Sequence, residues 1–173
     1  MEGTGFSLWL VPEGSTHERY GEIISRLSGR YGTPGFEPHV TLLGGLPGPE
    51  DFVLEKCGDL ARLVRPLTLR PVAADHGEAY FQCVFVEIEL TPELETARER
   101  GLELLAGHDV AFHPHVSLLY GDFSVREKET VVAEVARDIG GPFEVRTIDV
   151  VATMGAPESW RRVGRFALGQ CAP

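Results

Sequence analysis

Apolar and polar residues alternate with a period of two near the start of the chain. Across Phe-Ser-Leu-Trp-Leu-Val-Pro at 6–12, Phe6, Leu8 and Leu10 share one face, while Ser7, Trp9 and Val11 share the other. That pattern predicts a strand ended by proline. The period then changes. Tyr20, Ile23, Ile24 and Leu27 recur at helical spacing behind a Ser15-Thr16-His17-Glu18 capping-box pattern, so a helix is predicted from Ser15 until Gly29 and Gly32 end it. Thr33-Pro34-Gly35 predicts a turn, residues 36–43 a second strand, and Gly44-Gly45 with Pro47-Gly48 a break.

Residues 51–64 read as a helix on Phe52, Leu60, Leu63 and Val64. Residues 66–72 read as a strand, 73–78 as a polar connection, and 80–90 as the strongest strand signal in the chain. Together, 66–90 predict a long hairpin. Thr91 as N-cap and Pro92 at the first helical position open a helix that runs to about Ala106, where Gly107 stops it. Residues 112–120 predict another strand. Ser124-Val125-Arg126-Glu127 is a second capping box, opening a helix to about Ile139. After Gly140-Gly141-Pro142, residues 143–153 and 161–168 predict two closing strands.

One word occurs twice along this pattern. Pro-His-Val-Thr-Leu-Leu-Gly begins at Pro38, and Pro-His-Val-Ser-Leu-Leu-Tyr-Gly begins at Pro114. After each copy come a break, a helix and a pair of strands, so the repeat extends beyond the motif. The expected architecture is α+β and bilobal: one domain over residues 1–173, made of two pseudo-symmetric lobes, each with an antiparallel sheet and helices, around a central cleft.

Composition narrows the function. The chain has 173 residues and 43% hydrophobic residues, enough for an ordinary core. Its net charge of −10 opposes tight binding to long nucleic acid, which needs a basic surface. No apolar run is long enough to span a bilayer, and the first residues lack the basic and apolar parts of a signal peptide. The expectation is a cytoplasmic monomer acting on a small ligand. The three cysteines form no Cys-x-x-Cys pair. Free thiols are expected, with Cys83 a small core residue and a Cys57–Cys171 bridge as the alternative.

The repeated word carries chemistry. Residues two apart on a strand point to the same face, so His39 points with Thr41 and His115 with Ser117. Two such faces across a cleft supply two imidazoles and two hydroxyls. One histidine accepts a proton while the other donates one, and the hydroxyls donate to phosphate oxygens. The set suits opening of a cyclic phosphate by water, and the residues leave open which histidine is base and which acid. For a single His-x-Thr the plainer reading, a partly buried strand histidine, is preferred; two copies with shared flanks favour catalysis.

At these residues the sequence resembles the 2H phosphoesterase superfamily, and within it the plant and yeast type cyclic phosphodiesterases. The word at 6–12, Phe-Glu-Pro-His-Val-Thr-Leu-Leu at 36–43, Tyr-Phe-Gln-Cys-Val-Phe at 80–85 and the second motif carry the likeness. The resemblance implies the bilobal fold. It also implies hydrolysis of ADP-ribose 1″,2″-cyclic phosphate to ADP-ribose 1″-phosphate and of nucleoside 2′,3′-cyclic phosphates to 2′-phosphates, both linked to tRNA splicing by-products. His39 and His115 take the catalytic roles, Thr41 and Ser117 hold the phosphate, and no metal or other cofactor is implied. Trp9, Phe81 and Tyr120 are candidates to flank the cleft and stack on a base or ribose, against core packing as the plainer reading.

Other residues are weaker candidates. His113 and His115 share a strand face, but a metal would need further ligands, for which only His108 and Asp109 stand nearby. His17 and His76 sit in polar surroundings. Arg161, Arg162 and Arg165 form the one basic cluster and read as a solvated strand edge, with attraction of an anionic substrate to the cleft as the alternative. An RNA-end enzyme of the same superfamily, a 2′,3′-cyclic phosphodiesterase or 2′–5′ ligase, is the alternative activity, and the acidic charge opposes it. A nucleotide-binding module without turnover is the remaining alternative; the intact histidines and hydroxyls oppose that.

Overall fold

A computed structural model describes residues 5–105 and 111–169. In chain order the elements are β1 (Phe6–Leu10), α1 (Gly14–Tyr31), β2 (Val40–Leu46), α2 (Glu50–Leu63), β3 (Leu67–Leu69), β4 (Pro71–His76), β5 (Val84–Ile88), α3 (Pro92–Leu105), β6 (His115–Leu119), α4 (Val125–Val135), β7 (Phe143–Val145), β8 (Thr147–Ala152) and β9 (Arg161–Ala167). The fold is α+β, as expected. Seven strands form one antiparallel sheet in the order β4-β5-β6-β2-β1-β8-β9, and β3 pairs with β7 in a separate two-stranded ribbon.

The repeat is visible in this order. Matching β1 with β5, β2 with β6, β3 with β7 and β4 with β8 reverses β8-β1-β2-β6-β5-β4 onto itself. The two halves therefore share one continuous sheet, joined at its centre by the two motif strands. Each half also lends its last strand to the other: β4 pairs with β5, and β8 pairs with β1. The helices obey the same exchange, with α1 against β6 and α3 against β2.

Strand alternation decides which face the helices cover. Leu8, Leu10, Val40, Leu42, Val84, Val86, Val116, Leu118, Ile148 and Val150 pack into one core with Tyr20, Ile24, Leu27, Leu60, Leu94 and Val131 of the helices. The opposite sheet face keeps a smaller apolar group of Trp9, Val11 and Val151, with Trp160 against it.

Several predicted boundaries move, each for a local reason. α1 begins at Gly14, with Glu13 extended as its N-cap and no side-chain cap bond, so the Ser15–Glu18 pattern lies inside the first turn. The box at Ser124 forms as predicted: its side chain accepts from the Glu127 N–H, while the Glu127 carboxylate accepts from the Ser124 N–H, an arrangement worth about 1 kcal/mol. α4 stops at Val135, and the chain beyond is held by Tyr20, whose hydroxyl donates to the Ile139 carbonyl at 2.6 Å. Gly44-Gly45 bends β2 without ending it. The register with β1 gains an extra residue there, and Gly45 takes φ 65°. The expected strand at 66–72 divides, because Leu67–Leu69 leaves to pair with β7 while Pro71–His76 pairs with β5. Residues 73–76, read as a connection, are thus an exposed edge strand, and Tyr80–Gln82, read as strand, is a 3₁₀ turn. The closing strand at 143–153 divides likewise into β7 and β8.

Candidate active site

β2 and β6 meet with Val40 opposite Val116. Antiparallel register then sets His39 on the side of Ser117, and Thr41 on the side of His115. Each imidazole thus lies nearer the hydroxyl of the other motif than sequence order suggests. All four residues line one cavity of about 460 Å³ on the sheet face away from the helices. That volume is in the range of small-ligand sites.

Both histidines are oriented by the same device. His39 Nδ1 lies 2.7 Å from the Glu37 carbonyl, and His115 Nδ1 lies 2.7 Å from the His113 carbonyl. A carbonyl only accepts, so each Nδ1 carries the hydrogen, and in the neutral ring each Nε2 is left as the acceptor. The chain supplies this partner two residues before the histidine in both copies.

The two rings differ in environment. His39 is buried, and burial lowers its pKa to about 4, against the opposing pull of the Glu37 carbonyl; the neighbouring His115 adds to the lowering. His115 is half-buried, and burial lowers its pKa against the opposing pull of the His113 carbonyl; the His113 ring adds to the lowering. Ser117 donates to the Phe81 carbonyl at 2.9 Å. Donation to a bound phosphate would need its hydroxyl to rotate. Thr41 is half-buried in the cavity wall.

The aromatics occupy distinct positions. Trp9, 4% exposed, lies flat on His39, with ring centroids 3.6 Å apart and planes 9° from parallel. Tyr120, 2% exposed, lies flat on Phe36 at 3.7 Å, and burial raises its pKa. Each lines the cavity with one ring face already covered. Phe81 and Trp160 are half-buried, 5.5 Å apart, and line the same cavity from the β4–β5 and β8–β9 connections.

Trp160, Ser7, Thr153 and Gln82 are cavity residues that the sequence reading did not single out. Ser7 and Thr153 hydrogen-bond each other at 3.2 Å, and Thr153 also donates to the Gly5 carbonyl. A signal existed for Ser7, which shares the Trp9 face of its strand. Thr153 and Trp160 reach the cavity only because β8 crosses to pair with β1.

The remaining candidates lie apart from this chemistry. His113 is exposed; its Nδ1 lies 2.6 Å from the Gln82 amide and its Nε2 3.7 Å from Glu87. Among the described residues, no group of three His, Cys, Asp or Glu side chains is arranged to hold a metal ion; His108 and Asp109 lie outside them. His17 faces Glu37 at 3.5 Å, and His76 is a half-buried residue of edge strand β4. Arg162 and Arg165 bind the buried Asp149, and Arg161 binds Glu50, so the basic cluster is engaged with acidic side chains along the edge strand. The cavity lining among the described residues contains no Lys, Arg, Asp or Glu. Cys57 and Cys83 are buried free thiols, while Cys171 lies outside the described residues. No described helix is long and apolar enough to cross a membrane.

Comparison with known proteins bears on this site. A family profile described as "Cyclic phosphodiesterase-like protein" matches residues 4–173. The cyclic phosphodiesterase of Arabidopsis thaliana is 26% identical over 72% of this chain and 69% of its own. A 2′,3′-cyclic-nucleotide 3′-phosphodiesterase of Kluyveromyces lactis is 25% identical over 84% of this chain and 78% of its own. Among solved structures, Escherichia coli LigT complexed with ATP aligns at a TM-score of 0.61 and 15% identity, covering 98% of this chain and 100% of that one. That likeness is one of fold.

Proposed function

The chain belongs to the cyclic phosphodiesterase-like family of 2H phosphoesterases, and from that premise we propose that it hydrolyses small cyclic phosphates by acid/base catalysis between His39 and His115, without a metal. The substrates of this reading are ADP-ribose 1″,2″-cyclic phosphate, opened to ADP-ribose 1″-phosphate, and nucleoside 2′,3′-cyclic phosphates, opened to 2′-phosphates. The observation that carries it is the twofold Nδ1–H to carbonyl bond, which leaves both Nε2 atoms to act on a ligand lodged between two hydroxyls.

In this mechanism His39 is the base. Its burial keeps the imidazole neutral down to about pH 4, so its Nε2 lone pair is available at neutral pH. Water held near the phosphorus gives its proton to His39 Nε2 as its oxygen bonds to phosphorus. The bond from phosphorus to the ribose oxygen breaks, and protonated His115 Nε2 gives its proton to that oxygen. His115 is the less buried ring, and the anionic phosphate beside it favours its charged form. Thr41 and Ser117 donate to the non-bridging oxygens, where charge grows in the transition state. Afterwards His39 carries a proton and His115 lacks one, and exchange with solvent resets both.

A cavity lined by hydroxyls, imidazoles and aromatic rings, with no Lys or Arg among its described residues, favours a small ligand over an RNA chain. The whole chain acts as one catalytic unit in this reading, since each half supplies one motif. The test is a product assay on 2′,3′-cyclic AMP and on ADP-ribose 1″,2″-cyclic phosphate. Release of the nucleoside 2′-phosphate and of ADP-ribose 1″-phosphate is expected. The 3′-phosphate as sole product, or turnover confined to oligonucleotide ends, would overturn the assignment.

A further inference from the structure

The strand register identifies a second pair of equivalent residues beside the histidines. On β1, Trp9 stands opposite Thr41 and Leu10 opposite Val40. On β5, Phe85 stands opposite Ser117 and Val86 opposite Val116. Trp9 and Phe85 therefore hold the same place in the two halves: each is the cross-strand partner of a motif hydroxyl and the diagonal neighbour of a motif histidine. An aromatic ring reaches across such a diagonal.

Both rings make that contact, in different geometries. Trp9 lies flat on His39 at 3.6 Å and 9°. Phe85 meets His115 at 5.1 Å and 58°, and meets His113 at 5.2 Å and 88°. We propose that Trp9 and Phe85 are a matched pair of positioning residues, each fixing the ring of the histidine beside it. Trp9 lies flat against its histidine and keeps one face dry, and Phe85 bounds its own at an angle. This rests on the two-histidine reading above. It gives Trp9 a task besides stacking on a base, since one of its ring faces is against His39. It also gives Phe85 a task that its strand pattern alone attributes to core packing.

The backbone bond fixes one axis of each imidazole, through Nδ1. A ring held only there still rocks about that bond, and the aromatic wall removes this freedom. The stack sets the two rings in direct face-to-face contact. It also excludes water from one face of His39. The ionisable groups around the His39–Trp9 pair are His115 from β6, Glu37 and its partner His17, and Asp149 of β8 with Arg162 and Arg165 of β9. Around His115 they are His39, His113 and Glu87.

The test uses W9L, W9F and F85L, with His39 and His115 titrated by proton–carbon NMR in the free protein and kcat and KM measured on 2′,3′-cyclic AMP. W9L should lower kcat by about tenfold or more with KM changed less than about threefold. It should also move the His39 titration up toward its ordinary range and leave His115 in place. W9F, which restores a smaller flat ring, should fall between wild type and W9L in both readouts. F85L should act on His115 and spare His39. Unchanged kcat with a raised KM in W9L would overturn the proposal and make Trp9 a substrate contact. An unmoved His39 titration in W9L would overturn it as well. If W9L does not fold, as judged by circular dichroism, W9F decides: its His39 must titrate above wild type, and identity with wild type overturns the proposal. The titrations need no substrate. Absence of wild-type turnover on cyclic phosphates would therefore defeat the functional reading while leaving this test intact.

Discussion

The two halves of this protein carry the same word on equivalent strands and use it unequally. In the first half His39 is buried, covered on one face by Trp9, and its basicity is strongly reduced. In the second half His115 is half-buried, met at an angle by Phe85, and flanked by exposed His113. A duplicated strand gives two copies of a functional group. Its neighbours then separate their proton affinities, which is what acid/base catalysis with two chemically identical side chains requires.

Removing either member of the pair should produce the largest effect. His39→Ala and His115→Ala are each expected to lower kcat on 2′,3′-cyclic AMP by about 10²–10⁴-fold, and a single variant with full turnover would break the two-histidine comparison. The hydroxyls come next. Thr41→Val and Ser117→Ala should each cost about 10²-fold in kcat/KM. Ser117→Ala should also loosen the Phe81 loop, because the hydroxyl donates to the Phe81 carbonyl in the unliganded protein; faster amide exchange at residues 80–82 would register it.

Stability should reveal the asymmetry without any substrate. His39 titrates at about 4 in the fold against 6.5 when exposed. Between those values the unfolded chain binds the extra proton, so stability rises with pH through this window and is complete above 6.5. The contribution is about 3 kcal/mol, lost as pH falls toward 4. Denaturant unfolding at pH 7 and pH 4.5 should therefore show a smaller pH effect in His39→Gln than in wild type, and an equal effect would contradict the burial argument. His115→Gln should diminish the pH effect less. The smallest expected change is none at all: dialysis against EDTA should leave turnover unaltered, and loss restored by a divalent cation would place a metal in a mechanism written without one.

Much of the site was legible in the sequence because it is local. His39 with Thr41, and His115 with Ser117, need only the two-residue period of a strand. The tautomer-fixing carbonyls of Glu37 and His113 are equally close, though the letters do not reveal that the chain curls back to present them. What escaped notice depends on distant pairing. Thr153 and Trp160 enter the cavity because β8 lies beside β1, and no periodicity within residues 143–160 encodes that neighbour. Residues 73–76 were obscured for the opposite reason: β4 is an exposed edge strand, so polar side chains satisfy it and the apolar alternation that marks a strand is missing. The segment at 66–69 was read as part of a hairpin, whereas its partner Phe143–Val145 lies far along the chain.

The exchange of final strands between the halves bears on how such a molecule can be divided. A cut in the loop near residue 79 separates the two motifs cleanly in sequence but not in the sheet. The N-terminal piece keeps β4 without its partner β5, and the C-terminal piece keeps β8 without β1. Both pieces would bare unpaired strand edges at positions that are central in the intact sheet. The chain thus resembles two interlocked clasps: each closes the other, and the two histidine motifs come into register only when both are shut.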